Sequence, residues 1–158
     1  MAKSKKNGFS LLEVMVVLSI VAVLSIGALS SYKSFNHIKS LESDTEAFVE
    51  MLELAKKNTT SGEKPCVAYQ GKYRVTWENT SATLTPLGCA ATTIFNLKGN
   101  QFYTAGSSID FNPLGRGTTL IADTCVLIKN IYLNQCRQIT IEKSGTMSHT
   151  INATCSCT

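Results

Sequence analysis

The sequence predicts an α+β protein in which one long N-terminal helix packs on a small antiparallel β-sheet or sandwich domain that disulfides stabilise. Three observations predict this fold class. The first third of the chain carries apolar side chains at helical spacing, and no proline or glycine occurs from Ala28 to Ser61. The rest alternates with a period of two over short segments rich in β-branched and aromatic residues. All six cysteines lie in this second part.

Length and charge limit the architecture to one small globular domain. A leader and a long helix take about 50 of the 158 residues, which leaves about 100 for a compact domain. The formal charge is +4, but three of the 15 Lys and Arg residues lie in the leader, at Lys3, Lys5 and Lys6. Without them 12 basic residues face 11 acidic ones, so the chain lacks the basic excess of a strong nucleic-acid binder.

The first predicted element is an apolar stretch with a single acid. Glu13 is the only ionisable residue from Phe9 to Leu29. About 21 residues at 1.5 Å each give about 31 Å, enough to span the hydrocarbon core of a bilayer. Because a carboxylate in lipid costs several kcal/mol unless a partner neutralises it, we interpret Glu13 as functional. The alternative is a plain single-pass anchor with an acid near the interface.

The leader favours an anchor over a secretory signal peptide. Its three lysines are expected to hold the N-terminus on the cytoplasmic side of the membrane. A secretory signal peptide has a short apolar core followed by a small-residue cleavage site, whereas Gly8 precedes this long apolar run. Residues 9–31 are therefore predicted to form a transmembrane and assembly segment.

The stretch KNGFSLLEVMVVLSIVAVL resembles the N-terminal signature of type IV pilins and pseudopilins. The resemblance implies that a prepilin peptidase cleaves after Gly8, so that residues 1–8 are a leader peptide. It implies N-methylation of the new N-terminus, Phe9. It also implies that Glu13 neutralises the N-terminal amine of a neighbouring subunit during assembly. Small residues allow close approach between such helices: Ser19, Ala22, Ser25 and Ala28.

Residues 32–61 are predicted to continue the same helix as an amphipathic element. Apolar positions recur at steps of three and four residues: Ile38, Leu41, Thr45, Phe48, Leu52 and Ala55. Lys56 and Lys57 suit a helix C-terminus, and Gly62 and Pro65 end the helix. One helix from Phe9 to about Thr60 is expected, half in lipid and half carrying the domain.

Residues 62–158 are predicted to form an extracytoplasmic β domain. A first group of strands is expected in CVAYQ, YRVTWEN, ATLTPLG and TTIFNLK, and a second in SSIDFNPLGRGTT, TTLIA, CVLIKN and CRQITIEKSGTMSHTI. The segment KSGT predicts a hairpin turn, with Gly145 available for a positive φ. Trp77, Tyr69, Tyr73 and Phe102 suit a binding surface, although aromatic residues in strands more often belong to a core.

The cysteines indicate an oxidising compartment and up to three disulfides. The six candidates are Cys66, Cys89, Cys125, Cys136, Cys155 and Cys157. Six cysteines allow 15 pairings, among which the sequence does not choose. We expect Cys66 to pair with Cys89, because both flank a hairpin region, and the two C-x-C thiols to bond to upstream partners. A zinc site is disfavoured because the spacing lacks C-x-x-C.

A second resemblance concerns the C-terminal part. IDFNPLG, followed by short strands and QITIEKSGTM, resembles the C-terminal domain of the GspH/FimT family of minor pseudopilins and minor pilins. The resemblance implies a β-sandwich-like domain packed on the C-terminal half of the long helix. Six cysteines are not a general trait of that family.

No catalytic motif is present, and we predict neither enzyme activity, a cofactor nor a metal. Asp110 and Asp123 occur in turn-rich loops, where isolated acids usually cap or face solvent. His37 and His149 are far apart in the sequence. An enzyme would need these groups to converge in one pocket.

A DNA-binding strip is a further hypothesis, formed by Arg116 and Arg137 with Lys129 and Lys143. Exposed arginines in loops between strands are common without a ligand, so DNA contact is not favoured. The sequence predicts a structural subunit, a minor pilin or pseudopilin of a pilus, type II secretion or competence-type filament. Its expected partners are prepilin peptidase, other pilin subunits and the inner membrane. The alternative is a filament-borne DNA receptor or adhesin on the same scaffold.

Overall fold

A computed structural model describes residues 10–104, 106–152 and 154–157. It contains one α-helix and eight strands: α1 (Leu11–Ser61), β1 (Tyr73–Glu78), β2 (Ser81–Pro86), β3 (Thr93–Asn96), β4 (Asn100–Phe102), β5 (Ser107–Phe111), β6 (Thr124–Asn130), β7 (Cys136–Ile141) and β8 (Met147–Asn152). A 3-10 turn, Pro113–Gly115, lies between β5 and β6. The chain divides into two compact units, residues 1–36 and 37–158. The α+β class is confirmed.

Helix α1 confirms the prediction of one long uninterrupted helix, since it runs for 51 residues. It ends at the predicted stop signal, where Gly62 takes a φ of +69° that favours glycine. In the unit of residues 37–158, five of the six predicted apolar positions are buried and Ile38 is half-buried. The five are each at most 2% exposed: Leu41, Thr45, Phe48, Leu52 and Ala55.

The unit of residues 1–36 holds the first part of α1, and every described side chain from Leu11 to Ser25 is exposed. Within the described residues, no helical stretch is both long enough and apolar enough to cross a membrane. The expectation of a transmembrane segment at residues 9–31 is therefore not supported.

The unit of residues 37–158 contains two four-stranded antiparallel sheets. Their strand orders are β3-β2-β1-β5, which we call sheet A, and β4-β6-β7-β8, sheet B. Strands β1 and β2 are joined at Asn79 and Thr80, as predicted. Strands β7 and β8 are joined by the predicted KSGT turn, in which Gly145 has a φ of +80°.

Two predicted strands are wrong, and one strand was not predicted. Residues 66–70 form a turn, in which Tyr69 N–H donates to Cys66 O and Val67 is fully exposed. Residues 118–122 form a loop that contributes only one isolated bridge, Thr118 to Phe111, and Ile121 is 96% exposed. Each segment makes an isolated backbone hydrogen bond to a neighbour, from Gln70 N–H to Leu87 O and from Thr119 N–H to Asp110 O of β5, without forming a strand. Strand β4 has only three residues and no apolar alternation to reveal it.

The core lies where the buried face of α1 meets both sheets. Phe48 packs edge-on against Trp77 of β1 and Phe102 of β4, with ring centroids 5.9 Å and 4.9 Å apart. Ile128 of β6 and Ile139 of β7 are fully buried in the same cluster. The aromatic residues Trp77, Tyr73 and Phe102 therefore belong to the core and do not form a binding surface.

Three disulfides stabilise this unit, and each cysteine is paired. Cys66 is bonded to Cys89, the pairing that the sequence suggested. Cys125 is bonded to Cys157 and Cys136 to Cys155, so both C-x-C thiols have upstream partners. In the strand register, Cys125 and Cys136 point away from the side of sheet B that carries Val126 and Ile139. The C-terminal segment is thus fastened to the outer face of sheet B.

Candidate functional site

The acid predicted to act in assembly lies in the first turn of α1. Negative charge is favourable at a helix N-terminus, because the helix dipole is positive there. Glu13 lines a shallow groove of about 280 Å³ together with three apolar residues, Val14, Val17 and Leu18. This open carboxylate on an otherwise apolar helix surface is available to a cation supplied by another molecule.

The surface around Glu13 suits packing against another helix. Its large apolar side chains are 45–79% exposed: Leu11, Leu12, Val14, Met15, Val16, Val17, Leu18, Ile20, Val21, Val23 and Leu24. Two of the predicted small residues, Ser19 and Ser25, have hydroxyl groups that are already hydrogen-bonded within the helix. Ser19 Oγ donates to Val16 O and Ser25 Oγ donates to Val21 O, both at 2.7 Å. Such small, internally bonded side chains let helices approach closely.

Three predicted site residues have no described side chain. Gly8 and Phe9 lie outside the described residues, and the side chain of Ala28 is also not described. Cleavage between Gly8 and Phe9, and methylation of Phe9, therefore stay predictions.

The sequence reasoning missed a buried polar network in the unit of residues 37–158. It links Asp44 of α1, Asn100 of β4 and Asn130 of β6, which are 4%, 2% and 0% exposed. Asp44 Oδ2 accepts hydrogen bonds from Lys98 N–H and Asn100 Nδ2, both at 2.7 Å. Asn100 Oδ1 accepts one from Asn130 Nδ2 at 2.7 Å. The sequence feature that could have revealed this network is Asp44 itself, an acid between the apolar positions Leu41 and Phe48 of the helix.

A second cluster surrounds Glu42 on the neighbouring side of α1. Lys39 Nζ lies 2.7 Å from Glu42 Oε2, and Arg137 Nη2 lies 3.7 Å from Glu42 Oε1. The hydrogen bond from Lys39, with its charge and those of Arg137 and His149, lowers the pKa of Glu42. Arg137 is thus paired with Glu42, and a DNA phosphate would have to displace this carboxylate to bind Arg137.

The structure does not bring all four predicted DNA-contacting cations together, although the loop of Arg116 adjoins Lys143, whose carbonyl accepts from Thr118 N–H at 3.0 Å. Arg137 adjoins Glu42, whereas Arg116 is exposed beside Gly117, which approaches Lys143 O. The β7–β8 turn, which contains Lys143, adjoins the last turns of α1, because a Cβ at Gly145 would lie 3.8 Å from the Lys56 side chain. Residues 42 and 56 are about 21 Å apart along a helix. Lys129 is on the opposite face of sheet B from Arg137, and its ammonium lies 5.6 Å from the centroid of the Tyr103 ring.

The acids and histidines considered for an active site also have separate surroundings. Asp110 binds Arg74, with 2.6 Å between Oδ1 and Nε. Asp123 accepts a hydrogen bond from Lys143 N–H at 3.1 Å. His37 stacks on Tyr132 at 4.6 Å between ring centroids. In the part of the chain that the structure describes, no cluster of His, Cys, Asp and Glu residues fits a metal ion.

An open groove of about 620 Å³ lies between the last turns of α1 and the start of β8. Its lining is Glu53, Lys56, Lys57, Thr60, Ser61, Thr146 and Met147. Lys56 Nζ donates to Gly145 O at 2.9 Å, so this lysine closes the helix end onto the β7–β8 turn. The lining contains no cysteine or histidine that would form a nucleophile and base pair.

The comparisons with known proteins identify the N-terminal segment. A family model of the prokaryotic N-terminal methylation motif matches residues 3–29, the part of the chain that contains Gly8, Phe9 and Glu13. No curated protein and no solved structure matches the chain. The chain therefore carries a type IV pilin-like prepilin signature. This signature indicates a substrate of prepilin peptidase, and it implies membrane anchoring followed by assembly with other pilins into a surface filament.

Proposed function

We propose that this chain is a structural subunit of the GspH/FimT kind, a minor pilin or pseudopilin of a type IV pilus, type II secretion or competence-type filament. One observation carries the proposal. Glu13 is the sole charged residue on an entirely exposed apolar helix surface, Leu11–Ser25, within the matched methylation motif. A soluble protein rarely leaves such a surface uncovered, because exposed apolar area of this extent marks an interface.

The proposed sequence of events begins in the inner membrane. Residues 9–31 anchor the chain there, and residues 1–8 are removed when prepilin peptidase cuts between Gly8 and Phe9. The amino group of Phe9 is then methylated. During assembly the apolar surface packs beside the helices of other subunits, and Glu13 meets the N-terminal amine of a neighbour. Two opposite charges in lipid offset each other's desolvation cost, which neither bears well alone.

The remainder of the chain carries the extracytoplasmic part of the subunit. Residues 32–61 support residues 62–158, which contain all three disulfides. Disulfides persist in the periplasm and on cell surfaces, and they are rare in the cytoplasm. Their number supports a domain that works outside the cytoplasm.

Changing Gly8 to tryptophan tests the proposal. A bulky side chain at the cleavage junction should block the peptidase, so Gly8→Trp should stay at full length in the membrane fraction and be missing from sheared filaments. Ala2→Trp is the matched control, because it places the same ring in the leader away from the junction. Normal shortening of Gly8→Trp, followed by its entry into filaments, would overturn the proposal.

The filament-borne DNA receptor is not proposed as a second function. Phosphate-driven binding needs several clustered cations. Of the four predicted cations, only Arg116 and Lys143 are in adjoining segments, whereas Arg137 is paired with Glu42 and Lys129 lies against Tyr103.

A further inference from the structure

Strand β8 forms an open edge of sheet B. In the strand order β4-β6-β7-β8 it is outermost, and within the described residues no strand lies beyond it. Its six residues, MSHTIN, include no charged residue, proline or glycine. Proteins usually protect an edge strand with a charge, a proline or a bulge, because its unpaired backbone groups can pair with another chain. Strand β8 has none of these protections.

The other edge strands offer less to a partner. Strands β3 and β4 have only four and three residues. Strand β5 is partly covered by the loop that follows it, since Thr119 N–H donates to Asp110 O and Thr118 bridges to Phe111. In the part of the chain that the structure describes, β8 is therefore the longest open edge.

The backbone groups on this edge belong to every second residue of β8. In the β7–β8 hairpin, Glu142 N–H donates to Thr146 O, and the register of the two strands continues without a bulge. Alternate residues of an antiparallel strand bond to the same neighbour, so residues 148, 150 and 152 bond to β7. Three residues then direct their N–H and C=O groups to the open edge: Met147, His149 and Ile151.

The side chains of these three residues lie on the face of sheet B that carries the core residues Ile139 and Ile141. Helix α1 does not cover them, because Ile151 is 73% exposed, His149 is exposed and Met147 is half-buried. Met147 lines the open groove of about 620 Å³ between α1 and β8. An exposed isoleucine and an open groove thus lie at opposite ends of one edge strand.

The sequence of β8 is chemically symmetric about His149. Residues 147 and 151 are apolar, and residues 148 and 150 carry hydroxyl groups. Antiparallel pairing with a second copy, centred on His149, places Met147 opposite the partner's Ile151 and Ser148 opposite the partner's Thr150. Only His149 meets its own equivalent. A twofold interface requires this kind of self-complementarity.

We propose that β8 is a docking edge for a second copy of this chain, which pairs with it antiparallel about a twofold axis at His149. The three edge residues then exchange backbone hydrogen bonds with the residues opposite them. The side chain of Ile151 enters the partner's groove beside Met147, so each copy supplies one isoleucine and one groove. Ser148 and Thr150 form cross-strand hydroxyl pairs on the other face.

This pairing differs from the assembly contact in the proposed function and does not depend on it. Strand β8 runs antiparallel to the adjacent part of α1, because Gly145 before β8 binds Lys56, whereas Arg137, in register with Ile151, binds Glu42. The twofold axis therefore sets the adjacent parts of the two α1 helices antiparallel. Helices that pack side by side in one filament point the same way.

The test measures the mass of the full chain in detergent micelles by analytical ultracentrifugation over a range of concentrations. The parent chain should dimerise. His149→Lys alone and His149→Glu alone place like charges directly opposite each other, and each should weaken dimerisation by about tenfold or more. An equimolar mixture of the two variants should regain the dimer, because lysine then faces glutamate. Emission of Trp77, which is 1% exposed, reports that each variant is folded.

Matched controls are Ile94→Lys and Ile94→Glu, since Ile94 is 62% exposed on another edge strand, β3. Both should dimerise as the parent chain does. A parent chain that stays monomeric would overturn the inference. Dimers that both His149 variants keep at full strength would place the contact elsewhere, as on the apolar surface of residues 11–25, and would also overturn it. A mixture that stays monomeric would rule out the register centred on His149.

Discussion

The carboxylate of Asp44 accepts a hydrogen bond from the side-chain amide of Asn100, with 2.7 Å between Oδ2 and Nδ2. Both residues are almost completely buried. Because Asn100 also binds Asn130, one chain of polar groups connects α1, β4 and β6. A buried carboxylate is favourable only when donors satisfy it, so this network fixes how α1 docks in its unit.

Asp44→Ala should destabilise the unit of residues 37–158 by about 3 kcal/mol, because it leaves the Lys98 N–H and the Asn100 amide without their acceptor. Denaturant unfolding of the full chain in detergent, followed by the emission of buried Trp77, measures the loss. Glu46→Ala is the matched control, since Glu46 is exposed two residues further along α1. That change should cost less than about 0.5 kcal/mol. Equal costs for the two variants would contradict the role assigned to the network.

The elements that the sequence predicted best are those with a strong period. Leu41, Phe48 and Leu52 repeat at helical spacing over a segment without glycine or proline, and they form the buried face of α1. In β1, Val75 and Trp77 alternate with polar residues and point into the core. These patterns arise because one face of each helix or strand is buried and must be apolar. The spacing of apolar residues along the sequence therefore predicts both the element and its buried face.

Elements that depend on distant partners were not predictable in this way. Residues 66–70 have strand-like composition, but the bond from Cys66 to Cys89 and the turn at Tyr69 hold them outside both sheets. Strand β4 exists because Asn100 meets Asp44 and Asn130, which lie 56 and 30 residues away in the sequence. In the candidate site, Glu13 was evident because an acid is conspicuous in an apolar run, whereas the hydrogen-bond partners of Asp44 emerged only from the fold.

Removal of one C-terminal disulfide should lower stability by about 3 kcal/mol, because the unfolded chain regains the entropy of an open loop. The suitable variant combines Cys136→Ala with Cys155→Ala, whose residues are separated by 19 positions. Denaturant midpoints of the variant and the parent chain, without reductant, measure the change. A parent chain whose midpoint stays the same after full reduction would contradict this prediction.

The ion pairs of Glu42 should make stability depend on pH. Since Lys39 and then Arg137 lower its pKa in the folded state, this contribution is fully present above the ordinary pKa range of a glutamate, about 4.3, and is lost as the pH falls through the lower pKa of the folded state. Glu42→Gln should therefore be less stable than the parent chain at pH 6, and the difference should shrink as the pH is lowered. Adding salt at pH 6 should narrow the difference, because Glu42 is at the surface. A difference that does not shrink on acidification would show that the ion pairs are not its cause.

Gly88 should not tolerate a side chain. It has a φ of +89°, and a Cβ there would overlap the carbonyl oxygen of Ala68. Gly62 has a φ of +69°, and no atom lies within 4 Å of the position that a Cβ would take, so Gly62→Ala is the matched control for the conformational cost alone. Gly62→Ala should cost about 1 kcal/mol. Gly88→Ala should cost at least about 2 kcal/mol more, because the backbone must move. Thermal unfolding of both variants measures the difference, and similar losses would contradict it.

Neutralising Glu13 should prevent assembly without affecting the fold of residues 37–158. Glu13→Gln keeps the size of the side chain and its capacity for hydrogen bonds, but it removes the charge that would offset a neighbour's N-terminal amine. We expect the variant to be cleaved, to accumulate in the membrane and to be depleted from sheared filaments. Glu50→Gln is the matched control, because Glu50 is an exposed acid on the same helix outside the apolar surface. If Glu13→Gln entered filaments as well as Glu50→Gln, charge neutralisation would not drive assembly, and Glu13 would act through helix packing alone.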